Sequence, residues 1–117
     1  MKSIEIISIP VTDQQRAKQF YLDLGFEVMV EAPFEGGALW VQMGLPGALV
    51  PSITLVTWFE GMPPGCIDGL VIKTDNVHRD VADLQAKGHE AEAAKETPWG
   101  LFAAVKDPDG NRISLHQ

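Results

Sequence analysis

Three tryptophans, Trp40, Trp58 and Trp99, are the side chains of this 117-residue chain best suited to hold another molecule. Flat indole faces bind planar or cationic groups by stacking and cation–π contact, each worth about 0.5 to 2 kcal/mol. The same rings serve equally well as core or as an interface between two copies. Phe34, Phe59 and Phe102 can extend such a surface or pack inside. Lys73 and Arg112 can pair with an anionic ligand group, or rest at strand ends with their heads in water. Glu31, Glu35 and Glu60 bracket strand ends, where they attract a basic ligand or simply form a solvated rim. His116 stands two residues beyond Ser114, so strand alternation puts both on one side, where an imidazole can shuttle protons or bind a ligand. Read plainly, it is a frayed terminal histidine followed only by Gln117. His78 and His89 flank a helix, where histidines face solvent. The single cysteine, Cys66, has no base or electropositive setting near it in sequence and cannot form an intramolecular disulfide.

The net charge of −7 disfavours nucleic acid and anionic membranes as partners and suits a cationic or neutral small organic ligand. No apolar run approaches the roughly 20 residues that a membrane span needs. Met1 to Glu5 carries no apolar signal region, so a cytoplasmic address is expected. With 45% hydrophobic and 21% charged residues, the chain reads as one globular domain over 1–117.

What positions these side chains is a near-repeat at an offset of 63 residues. Gly25 recurs as Gly88, Gly37 as Gly100 and Gly47 as Gly110, while Thr12-Asp13 returns as Thr74-Asp75. Ser3 to Val11 alternate as a strand. Asp13 then caps a helix whose Ala17, Phe20, Tyr21 and Leu24 form one apolar stripe, stopped by Gly25. Phe26 to Val30, Ala38 to Met43 and Ile53 to Phe59 read as three further strands, two of them carrying Trp40 and Trp58. The second half copies this order. Leu70 to Thr74 is a strand, Val77 to Lys87 a helix with Val77, Val81 and Leu84 inward, and His89 to Ala94, Leu101 to Lys106 and Arg112 to His116 are strands. Asp107-Pro108-Asp109-Gly110-Asn111 makes the last hairpin turn. The fold class is therefore α+β, two βαβββ repeats over about 1–60 and 66–117, with the helices on one side of the sheets and a curved trough on the other.

Ile9-Pro10-Val11-Thr12-Asp13, Arg16-Ala17-Lys18, Phe20-Tyr21, Leu24-Gly25-Phe26, Pro98-Trp99-Gly100 and Asp107-Pro108-Asp109-Gly110-Asn111 together resemble the vicinal oxygen chelate superfamily of glyoxalases, bleomycin resistance proteins and extradiol dioxygenases. The resemblance implies this fold, and, in members with chemistry, a divalent metal held at the trough's centre by His or Gln on the first strand and Glu on the last strand of each repeat. At those positions this chain carries Ile6, Thr54, Gly69 and Ser114, none of which ligates a catalytic metal. No cofactor and no metal are expected.

The reading that ranks first is a small-molecule binder similar to bleomycin resistance proteins, with Trp40, Trp58, Trp99, Phe102, Lys73, Arg112, Ser114 and His116 as its ligand-binding residues; the resemblance implies a homodimer with troughs completed across its interface. The alternative is a glyoxalase-like lyase or dioxygenase whose metal has non-standard ligands. A third reading is an interaction subunit whose cavity the tryptophans fill.

Overall fold

The computed structural model describes residues 1–117, the side chain of residue 49 excepted. Strand β1 (Ile6–Pro10) leads into helix α1 (Gln14–Leu24), followed by β2 (Glu27–Pro33), a single 3-10 turn over Glu35–Gly37, β3 (Leu39–Leu45) and β4 (Ala48–Val56). Then come β5 (Leu70–Lys73), α2 (Val77–Ala86), β6 (Glu90–Ala91), β7 (Lys95–Thr97), β8 (Gly100–Lys106) and β9 (Arg112–His116). The strands form two sheets, ordered β1-β4-β3-β2 and β5-β9-β8-β6, with β7 also paired to β8. In each sheet the strand before the helix lies parallel to the last strand of its half, β1 to β4 and β5 to β9.

Local chemistry sets both helices. The Asp13 carboxylate accepts from the backbone N–H groups of Gln15 and Arg16, and Gly25 ends α1 in the left-handed region at φ 113°. Helix α2 is capped by Asn76, whose side chain accepts from the N–H of Arg79. The recurring Thr74-Asp75 pair pointed one residue short of this cap, whereas the 63-residue offset carries Asp13 onto Asn76 itself.

One buried cluster joins the two halves. Ile9, Phe20, Tyr21, Val41 and Leu55 from the first pack in it with Val77, Leu84, Val105, Ile113 and Leu115 from the second. Phe20 and Tyr21 meet edge to face with ring centroids 5.0 Å apart. The turn Asp107–Asn111 does more than reverse the chain. Tyr21 Oη donates to Asp107 Oδ2 at 2.9 Å, and Asn111 Nδ2 donates to the Pro10 carbonyl at 2.9 Å. Burial, reinforced by the Asp107 carboxylate, pushes the Tyr21 hydroxyl pKa far up, so it remains a donor.

Four sequence expectations are corrected. The strand expected over Ile53 to Phe59 runs instead over Ala48–Val56, which leaves Trp58 in the loop beyond it. The strand expected over Phe26 to Val30 begins one residue later and continues to Pro33. The strand expected over His89 to Ala94 is two short strands, β6 and β7, broken across Glu92 to Ala94, so the second sheet has five strands. His89 does not face solvent. Its Nε2 lies 2.7 Å from Asp23 Oδ2, with both side chains under one-fifth exposed, and its ring meets Phe20 edge to face at 5.0 Å.

Candidate functional site

Because side chains alternate along a strand, whatever points away from the core in each sheet occupies its outer face. On the first sheet, β3 alternates Val41 and Met43 inward with Trp40 and Gln42 outward, and Gln42 pairs in register with Thr54 of β4, which pairs with Ser8 of β1. Their polar groups satisfy one another. Trp40 Nε1 donates to Gln42 Oε1 at 3.1 Å, Gln42 Nε2 donates to Ser52 Oγ at 2.8 Å, and the Ser8 and Thr54 hydroxyls lie 3.3 Å apart.

Over this polar floor stands an aromatic group. Trp40 and Trp58 are stacked at 6.3 Å with planes 27° apart, and Phe34 lies 4.7 Å from Trp58 and 5.5 Å from Trp40. Phe59 meets Trp58 edge-on at 6.2 Å. Phe34 and Phe59 are exposed and both indoles half-buried, so the cluster is a surface feature and not core filling. Such a wall offers stacking area that loses little side-chain entropy when a ligand settles on it.

The outer face of the second sheet differs. Strand register sets Lys73, His116, Phe102 and Lys95 in one row across β5, β9, β8 and β7. His116 and Phe102 stack at 4.4 Å, and the His116 Nε2–H donates to the Trp99 carbonyl at 2.8 Å, so the last strand is fixed to its end. A shallow cavity of about 140 Å³ lies beside this row, lined by Phe102, Ala104, Ser114, Arg112, Lys95 and Thr97 among others. Arg112 pairs with Asp68 at 3.3 Å. Trp99 sits in the turn between β7 and β8, 77% exposed.

The residues expected at the site therefore divide between two surfaces. Trp40 and Trp58 share the first sheet's outer face; Phe102, Lys73, Arg112, Ser114 and His116 share the second's, with Trp99 at its edge. Sequence reading missed Gln42, Ser52 and Lys95. Alternation from Trp40 would have found Gln42, but the break after Ala91 hid Lys95.

A resident divalent metal does not fit the donors present. Ile6 offers none and Gly69 no side chain, Thr54 is buried and faces the Ser8 hydroxyl, and Ser114 has only a neutral hydroxyl. Among the described residues, no three His, Cys, Asp or Glu side chains converge. No helix is long and apolar enough to cross a membrane.

A family model described as Glyoxalase/Bleomycin resistance protein/Dioxygenase superfamily matches residues 3–115. The structure is similar to that of TnmS3, an antibiotic binding protein from Streptomyces sp. CB03234, with TM-score 0.93 and 42% identity, covering 100% of this chain and 96% of that one. It is also similar to a glyoxalase/bleomycin resistance protein from the same organism, with TM-score 0.86 and 44% identity, covering 98% and 100% of the two chains. YetH of Bacillus subtilis (strain 168), an uncharacterized protein, is 28% identical over 122 residues, covering 100% of this chain and 99% of its own length.

Proposed function

As the chain belongs to the Glyoxalase/Bleomycin resistance protein/Dioxygenase superfamily, we propose that it binds and sequesters a small planar organic molecule, of the kind represented by antibiotics, without metal chemistry. The observation that carries this reading is the uncovered cluster of Phe34, Trp40 and Trp58 above a polar floor. Binding by stacking needs a flat exposed wall and a few placed polar groups, and the half-buried Gln42 amide beside Trp40 offers one. The similarity to an antibiotic binding protein at 42% identity supports the same reading.

The ligand-holding residues in this reading are Trp40, Trp58, Trp99, Phe102, Lys73, Arg112, Ser114 and His116. They lie on two sheet faces, and a second copy of the chain completes each trough by setting the aromatic face of one protomer against the cationic face of its partner. Val50 and Val71, each more than half exposed, are apolar groups that such pairing covers. The protein works in the cytoplasm as this homodimer.

Titration of the purified protein with a panel of planar antibiotics, read by tryptophan fluorescence and by native mass spectrometry, tests the proposal. Saturable quenching with one ligand per trough in a dimer is expected. Stoichiometric tight uptake of zinc, nickel, manganese or ferrous iron, with turnover of a glyoxalase or dioxygenase substrate, would overturn it.

A further inference from the structure

The two outer faces differ in charge, and the difference bears on what the ligand carries. The first sheet's Ser8, Trp40, Gln42, Ser52 and Thr54 are all uncharged. The second sheet sets Lys73 and Lys95 at the two ends of the row that holds the stacked His116 and Phe102. Arg112 enters the adjoining cavity with Ser114 and Ala104 as a small floor, held by Asp68 at 3.3 Å, and Glu92 borders the same space. Neither lysine has a carboxylate within ion-pair distance among the described residues, whose ion pairs use Lys18, Arg79, His89, Lys106 and Arg112. Three cations on this face, Lys95 and Arg112 at the cavity and Lys73 at the far end of the row, therefore meet Asp68 and Glu92, in a chain whose net charge is −7.

We infer that this face receives an anionic oxygen group, a carboxylate or an ionised phenol, carried on a planar aromatic ligand; the inference rests on the binding reading above and deepens it. The whole-chain charge does not oppose this. At physiological salt, charges beyond about 8 Å are largely screened, so Lys95 and Arg112, which line the cavity, dominate what an entering group feels there, and Lys73 acts at the far end of the row. Phe102, flat against His116, gives the ring bearing that group a surface to lie on, and the small Ala104 and Ser114 leave room beneath it. The Lys95 ammonium group on its flexible stem then closes on the oxygens as a point charge.

The test is a set of three probes of one shape titrated into the full chain: 2-naphthoate, 2-naphthamide and 2-naphthylmethylammonium, followed by chemical-shift changes in NMR spectra. Naphthoate is expected to bind about tenfold more tightly than the ammonium probe, with a preference that shrinks as salt rises from about 20 to about 200 mM. A Lys73→Gln/Lys95→Gln variant, altered only at exposed positions, is expected to lose about tenfold in naphthoate affinity and less than about twofold for the amide. Equal binding of the ammonium probe, or naphthoate affinity unmoved by the variant, overturns the inference and leaves the binding reading standing. Failure of all three probes to bind overturns both.

Discussion

His116 and Phe102 lie face to face across neighbouring strands, ring centroids 4.4 Å apart and planes 13° from parallel, while the imidazole donates from Nε2 to the Trp99 carbonyl 2.8 Å away. A carbonyl oxygen can only accept, so the proton of the neutral ring sits on Nε2 and Nδ1 is left as the acceptor. Gly100 makes this approach possible. A Cβ there would fall 2.5 Å from the Gln117 carbonyl oxygen and 3.0 Å from His116 Nε2, and its φ of +120° is one that side-chain-bearing residues rarely adopt.

Gly100→Ala is accordingly expected to destabilise the protein by about 1–3 kcal/mol and to push the turn off His116. Urea unfolding measures the first effect, and loss of the hydrogen-bonded His116 Nε2–H signal in NMR spectra measures the second. Unchanged values of both would show that the turn does not hold the ring.

Tyr21→Phe isolates the tie between the two halves. The substitution keeps the ring that packs between Phe20 and Phe26, at 5.0 and 5.7 Å, and removes only the hydroxyl that donates to Asp107 Oδ2. Asp107 keeps the donation from Asn111 Nδ2 at 2.8 Å, but loses one of its charge-stabilising donors in a buried setting. A loss of about 1.5–3 kcal/mol is expected in the urea unfolding free energy, the range for hydrogen bonds to charged groups. A loss below about 0.5 kcal/mol would mean that water replaces the hydroxyl.

The Asp23–His89 pair gives the stability an acid limb. The hydrogen bond from His89, the largest influence, with further help from Gln19, holds the Asp23 carboxyl below its ordinary value of 3.8 despite some desolvation. A carboxylate whose pKa is lower folded than unfolded adds stability above its unfolded value, and that contribution is lost as pH falls through the folded one. The stability gap between the native protein and Asp23→Asn is thus expected to be constant from about pH 5 down to about pH 4 and to narrow below that. Urea midpoints across this range check it; a gap that widens on acidification would contradict the pairing.

The sequence exposes what is locally determined and hides what is not. Asp13 as a cap, Gly25 at positive φ and the apolar stripe Ala17, Phe20, Tyr21 depend on neighbours within a turn or two, and all are legible from the chain. Asp23 and His89 are 66 residues apart, and nothing in either neighbourhood announces their contact. The misplaced end of the fourth strand has a different cause. Thr57, Trp58 and Phe59 continue the β-favouring composition of Ile53 to Val56, yet pairing with β3 and β1 stops and the chain bends at Thr57. Trp58 reached the aromatic cluster through that bend and not through strand alternation.

That placement makes Trp58 the sharpest probe of the aromatic wall. It touches Phe34, Trp40 and Phe59, with ring separations of 4.7, 6.3 and 6.2 Å, whereas Trp99 is 77% exposed and its carbonyl, not its ring, makes the contact with His116. Removing one stacking ring from a ligand's wall costs about 0.5–1.5 kcal/mol beyond lost area, so Trp58→Ala is expected to weaken a planar aromatic ligand about threefold to tenfold. It sits outside the buried cluster, so folding should be retained and circular dichroism will show it. Trp99→Ala keeps the backbone carbonyl and is expected to weaken the same ligand less, through the loss of an edge contact alone. Isothermal titration of both variants decides between them. A larger loss at Trp99 than at Trp58 would move the ligand off the first sheet's face and onto the turn that closes over His116.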